Sequence, residues 1–275
     1  MYPIIRYFED QMETINTNIE AARNGLDVDV LHDLRVGIKR LKALYQVLDP
    51  ISDGRFDSKT NFEEVYHLFK SVGSLRDIQV LKTLFSFFSK DSNPESVEEF
   101  FAQLTENEKS AAEALNLILK EFNYNIINES MTEANAFIED ISTAEASKQT
   151  KKLLKKRFKQ IKELLPHKKE DELMHELRTK VKQACYTIEI LALMEPDKAF
   201  TEHPKRLKLA AELLGQWHDH IVLADVLAVF LVDKTDVEDF DAEPYTDLLS
   251  IIRQDAKKLL KESRKVLKAH SLKLI

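Results

Sequence analysis

Two motifs in this 275-residue chain each occur twice, at almost the same separation. His32-Asp33-Leu34-Arg35-Val36-Gly37-Ile38-Lys39 aligns with His175-Glu176-Leu177-Arg178-Thr179-Lys180-Val181-Lys182, 143 positions later. The His, the acid, the Leu, the Arg and the Lys recur in place. Gly73-Ser74-Leu75-Arg76-Asp77-Ile78-Gln79-Val80-Leu81 aligns with Gly215-Gln216-Trp217-His218-Asp219-His220-Ile221-Val222-Leu223, 142 positions later, and here Gly, Asp, Val and Leu recur. Two independent matches at nearly one offset point to internal duplication. The chain reads as a single unit over 1–275, built from a first half, 1–143, and a second, 144–275. Each half would be a helical bundle of about four helices.

Both halves read as all-α. Gly is scarce, at five, and Pro at seven, whereas sheets need such residues for their turns. Leu, Lys, Glu and Ala are abundant and favour helix. With 44% apolar residues the chain can bury a substantial core. Breaker residues predict helices over 3–23, from 30 to before Pro50, 57–72, and from after Gly73 to 89. They continue over 94–122 and 132–141, with 123–128 a weak point. In the second half they predict 147–165, 170–194 stopping before Pro196, 204 to Gly215, onward to 232, and 244–269. Pro94, after Asp91-Ser92-Asn93, suits a first helical turn.

Several classes are disfavoured. The lone Cys185 permits no internal disulfide. The start Met1-Tyr2-Pro3-Ile4 lacks signal-peptide character. The most apolar run, Ile221 to Val232, is interrupted by Asp225 and falls short of the roughly 20 residues needed to span a bilayer. A soluble, cytoplasmic protein with no membrane partner is expected. The five glycines are too dispersed for a phosphate loop or a dinucleotide fingerprint, and Gly-x-Ser-x-Gly is absent. No cofactor is expected, and binding is favoured over catalysis. His218-x-His220 is a poor chelate, because helix positions two apart point about 200° away from each other. Cys185 reads as a buried thiol and Trp217 as core.

Charge is strongly segregated behind the net −7. Residues 148–169 hold ten Lys or Arg against Glu163, and 253–273 hold eight against Asp255 and Glu262. Residues 91–145 hold thirteen acids against Lys109 and Lys120. Exposed charges more than about 8 Å apart are largely screened at physiological salt, so an acidic total does not exclude a local anion site. Any one such stretch taken alone is more simply read as a solvated helix face. At spacings of three and four, His32, Arg35, Lys39 and Lys42 form one stripe, beside an apolar stripe of Leu31, Leu34, Ile38, Leu41 and Tyr45. His175, Arg178 and Lys182 repeat the first, and Leu177, Val181, Ala184 and Ile188 the second. No acid offsets Arg35, Lys39, Arg40 and Lys42 between Leu34 and Leu48. Like charges at these spacings cost a few tenths of a kcal/mol per pair, which suggests an external polyanion. A pseudo-twofold axis would join the two rows into one basic track.

His32-x-x-Arg35-Val36-x-x-Lys39-Arg40-Leu41-Lys42, with Gly73-x-x-x-Asp77-x-x-Val80-Leu81 downstream, resembles the CHAD family (conserved histidine α-helical domain). The resemblance extends over both halves. It implies two helical bundles related by pseudo-twofold symmetry, a basic central channel, and non-catalytic binding of inorganic polyphosphate. The ligand-facing positions it implies are His32, Arg35, Lys39, Arg40 and Lys42, then His175, Arg178 and Lys182. The second half departs at Gln183, opposite Arg40, and at Cys185, opposite Lys42. The basic faces of Lys152, Lys155 and Lys159 and of Lys257, Lys261 and Arg264 would compensate. Family members are commonly basic overall, and this chain is acidic.

Some readings stay open in the sequence. His32 and His175 serve as pH-sensitive contacts or brace the helix start. Asp77 and Asp219 serve as acids or, preferably, as structural partners of N–H groups or basic side chains. The alternative to a polyanion module is a helical protein-interaction scaffold whose basic track is closed by internal acids, such as those of 91–145. Specific nucleic-acid binding is not expected, since the basic stretches hold few aromatics for base stacking.

Overall fold

The computed structural model describes residues 2–123, 125–166, 171–195 and 199–269, and among them every regular element is an α-helix. In chain order these are α1 (Tyr2–Asn24), α2 (Val28–Ile51), α3 (Ser58–Phe88), α4 (Pro94–Glu121), α5 (Asn125–Asp140), α6 (Thr143–Leu164), α7 (Asp171–Met194), α8 (Ala199–Asp233) and α9 (Glu243–Ala269). The expected helix start at Glu170, the stop at Pro196 and the charges of Lys168, Lys169 and Lys273 lie outside the described residues.

Local chemistry sets most boundaries. Asp27 caps α2, its carboxylate accepting from the backbone N–H of Asp29 at 2.8 Å, so the helix begins at Val28 rather than near residue 30. Asn93 caps α4 and Pro94 occupies its first turn, as the sequence predicts. Ser142 caps α6, accepting from Glu145 N–H at 3.2 Å. Pro50 does not end α2 but lies within its last turn. α5 begins at Asn125, seven residues before the predicted start, and absorbs much of the weak point.

Two glycines expected to break helices do not, whereas Gly25 and Gly54 lie between helices as expected. α3 runs unbroken through Gly73 and α8 through Gly215. A lone glycine costs a helix about 1 kcal/mol, less than the packing on either side contributes.

Three apolar cores hold the helices together. The first gathers α1, α2, the N-terminal part of α3, the C-terminal part of α4 through Leu115 and Leu119, and α5, with Ala146 of α6 and Ile190 of α7. The second lies among α6, α7, the N-terminal part of α8 and α9, around the buried Trp217. The apolar stripes of α2 and α7 face these cores: Leu31, Leu34, Ile38, Leu41, Tyr45, Leu177, Val181, Ala184 and Ile188 are all buried. The third core joins the far ends of α3 and α4 to those of α8 and α9. There Phe100 meets Phe85 at 4.7 Å and Phe230 at 5.1 Å between ring centroids. Each fully buried ring contributes on the order of 3 kcal/mol. α2 also packs against α6 and α7. The two ends of the molecule are therefore tied at this α2–α7 contact and at the third core.

Candidate functional site

With its apolar row buried, α2 turns Arg35, Lys39 and Lys42 towards α7, which presents Arg178 and Lys182. These five cations line a cavity of about 280 Å³, together with Phe69, Gln46, Gln183 and Tyr186. No carboxylate is among its described lining residues. Burial, reinforced by repulsion from Arg35, Lys182 and Arg178, pushes the Lys39 ammonium down to about 7 against the pull of Asp77. Burial and the neighbouring Arg178 push Lys182 down to about 8. Burial also lowers Arg178 and Lys42. The ammonium of Lys42 sits 4.8 Å from the ring centroid of Phe62.

α3 shapes this cavity through its second motif. Arg35 Nη2 lies 3.2 Å from Asp77 Oδ1, and its guanidinium carbon is 5.4 Å from the Phe69 ring centroid. A Cβ at Gly73 would stand 2.1 Å from Arg35 Nη1. Gly73 therefore admits the guanidinium against the α3 backbone. Nothing lies within 4 Å of a Cβ built at Gly215, so the recurring glycine does not have the same work in α8. Asp77 is a partner of a basic side chain, the structural role preferred from sequence. Burial raises the Asp219 carboxyl, and the positive charges of Arg178 and Lys182 oppose that rise.

A second cavity, of about 440 Å³, shares Lys182 and Tyr186 with the first. Arg40 and Lys208 line it, with Glu189, Glu212 and Asp219. Lys208 pairs with Glu189 at 3.0 Å. Positions matched by the repeat line the two spaces: Lys39, Lys42, Ala43 and Gln46 border the first, and Lys182, Cys185, Tyr186 and Glu189 the second. Arg40 thus stands apart from Arg35, Lys39 and Lys42, and its buried Nε has no hydrogen-bond partner. Cys185 is buried and its thiol is pushed up to about 12, in line with an inert thiol.

The remaining candidates are dispersed. His32 is exposed in the second turn of α2 and lines neither cavity. His175 has its Nδ1 3.1 Å from Nδ1 of His218, and its ring centroid 4.9 Å from that of Trp217. It braces α7 against α8. Burial, followed by Arg178 and His175, pushes His218 down to about 3, so it is neutral at physiological pH. His220 turns elsewhere, its Nδ1 donating to the Gln216 carbonyl at 2.7 Å and its Nε2 lying 3.3 Å from Asp255. Lys152 and Lys155 line a separate pocket with Ser147 and Glu195. Lys159 lies 3.8 Å from Glu163. Lys257, Lys261 and Arg264 line another pocket with Leu260 and Lys268, and Arg264 donates to the Leu165 carbonyl at 2.6 Å. These outer groups do not reach the central cavity.

Sequence reasoning missed Arg157. It is buried on α6 and donates to the Gln183 carbonyl at 2.7 Å, to Gln46 Oε1 at 2.9 Å, and to Thr187 Oγ1. It thereby ties α6 to α2 and α7, the two helices whose cations line the first cavity. Its signal was faint: one Arg in a run of lysines, at the fork-like geometry that multiple acceptors require.

A family model described as the CHAD domain matches residues 6–228. No curated protein matches the chain significantly. Among solved structures, the crystal structure of the CHAD domain from the plant Ricinus communis superposes with a TM-score of 0.75 at 18% identity, covering 98% of this chain and 91% of that one. PptA from Streptomyces chartreusis superposes with a TM-score of 0.65 at 13% identity, covering 97% and 96%. At these identities the likeness is one of fold.

Proposed function

The chain belongs to the CHAD domain family, and on that premise we propose that it binds inorganic polyphosphate, or a similar linear phosphate polymer, without catalysing a reaction. The ligand lies against Arg35, Lys39, Lys42, Arg178 and Lys182. One observation carries this reading: five cations converge on a half-buried space whose described lining holds no carboxylate. Burial, and then repulsion from Arg35, Lys182 and Arg178, depresses Lys39, and phosphate oxygens would stabilise its charged form through charge-assisted hydrogen bonds. Arg supplies forked contacts and Lys point charges, a combination suited to a flexible phosphate chain. A cytoplasmic setting belongs to the same reading. Among the described residues no helix is long and apolar enough to cross a membrane.

The scaffold reading calls for internal acids, such as those of 91–145, to close the basic track; none of 91–145 lines the first cavity, where Asp77 engages Arg35 alone at 3.2 Å. The test is a salt-titrated binding assay with long-chain polyphosphate and DNA as competitor. Binding should fall steeply with salt through counterion release. Joint replacement of Arg35, Lys39, Arg178 and Lys182 by Glu should abolish binding with helicity intact. A flat salt dependence, or no binding at low salt, rejects the reading.

A further inference from the structure

Resting on that reading, we propose that the site is single-ended: it takes the terminus of a linear polyphosphate and does not thread the middle of a chain. The argument is the inequality of the two cavities. They share Lys182 and Tyr186, so the two spaces adjoin the same pair of side chains. The first presents five cations and no described carboxylate. The second opposes Arg40, Lys182 and Lys208 with Glu189, Glu212 and Asp219, a formal balance of zero.

The positions matched between the two motifs show where the two spaces differ. Lys42 of the first space is matched by Cys185 in the second, and Gln46 by Glu189. A cation is thus matched by a neutral thiol and an amide by a carboxylate. Lys208, the cation added on α8, is engaged by Glu189 at 3.0 Å. A polyphosphate passing Lys182 would therefore leave a space lined by five cations, of which Arg35 is paired with Asp77 at 3.2 Å, and meet three acids. Like charges this close oppose entry, most strongly where water is partly excluded. A chain end suits the first cavity better for a second reason. A terminal phosphate carries a second titratable oxygen and approaches −2 near neutral pH, whereas an internal unit carries −1. The densest negative charge on the polymer thus meets the crowded ammonium and guanidinium groups.

The test compares four probes on the full chain: tripolyphosphate, long-chain polyphosphate, and the same long chain blocked as a bulky phosphoramidate at one end or at both. Tripolyphosphate should displace the long chain completely. The singly blocked chain should bind within about twofold of the free one, and the doubly blocked chain at least tenfold more weakly. In the Glu189→Gln/Glu212→Gln variant, which neutralises two of the acids, the doubly blocked chain should recover much of that loss. Equal binding of the free and doubly blocked chains to the unaltered protein would overturn single-ended capture while leaving the proposed function standing. No binding of any probe at low salt would reject the proposed function itself.

Discussion

The guanidinium of Arg35 lies where the side chain of residue 73 would stand, with Nη1 2.1 Å from the Cβ that Gly73 lacks. The same guanidinium reaches Asp77, one turn further along α3, at 3.2 Å. Two motif residues four positions apart thus cooperate on one cation from another helix. One makes room for it and the other fixes its charge.

Gly73→Ala should dissociate stability from binding. The arginine tip is flexible and can retreat, and alanine favours helix by about 1 kcal/mol, so the net change in unfolding free energy should stay within about 1 kcal/mol. Polyphosphate affinity should fall roughly five- to tenfold, about 1 kcal/mol. Gly215→Ala, with open space around its Cβ, should stabilise by about 0.5–1 kcal/mol. Chemical denaturation and calorimetric titration of both variants check this.

Binding should weaken as pH rises from 7 to 9. Lys39 and Lys182 lose their protons near 7 and near 8 in the free protein, and bound phosphate favours the charged forms. Each obligatory proton contributes up to about tenfold per pH unit above the free-state value. Titrations at pH 8 in buffers of differing ionisation enthalpy should register proton uptake. Stability of the free protein should move the other way. Between about 7 and the ordinary lysine value the unfolded chain holds more protons, so these two groups make unfolding harder as pH rises.

His175→Ala should act on stability. Losing the contacts to His218 and Trp217 should cost about 1–2 kcal/mol in denaturant unfolding. Polyphosphate affinity should change by less than about threefold, on the order of 0.6 kcal/mol, because His175 lines neither cavity.

Arg157→Met should be more damaging. It removes the donor shared by Gln183, Gln46 and Thr187 and loosens both walls of the first cavity. A loss of about 2–4 kcal/mol is expected in urea or guanidinium unfolding, accompanied by weaker polyphosphate binding.

The outer lysines should matter little. Neutralising Lys152, Lys155, Lys257 and Lys261 together should reduce affinity less than threefold at 150 mM salt, while Arg178→Gln with Lys182→Gln should reduce it more than tenfold. Exposed charges at a distance are screened, whereas half-buried ones are not. Parallel titrations of the two variants decide it.

The sequence exposed much of this protein because helical periodicity is local. A spacing of three and four fixes which residues share a face before any neighbour is known, so the buried rows of α2 and α7 and the basic rows beside them were legible. Caps such as Asn93 and the first-turn Pro94 were legible for the same reason. Gly73 was not. A glycine read along the chain signals a break, and its use as a seat for Arg35 exists only once α2 lies against α3. Arg157 was hidden likewise, because its acceptors come from α2 and α7, 26 and more positions away.

By itself, then, the sequence determined an all-α chain, two copies of a motif and the face of each helix that carries charge. The tertiary structure alone decided which charges meet. It gathered Arg35, Lys39, Lys42, Arg178 and Lys182 around one space and left His32 and the outer lysines aside. It also set Arg40 among carboxylates on the other side of Lys182. The physical reason is range. Face and register follow from bonds within a few residues, whereas electrostatic crowding depends on distances between helices, which only packing sets.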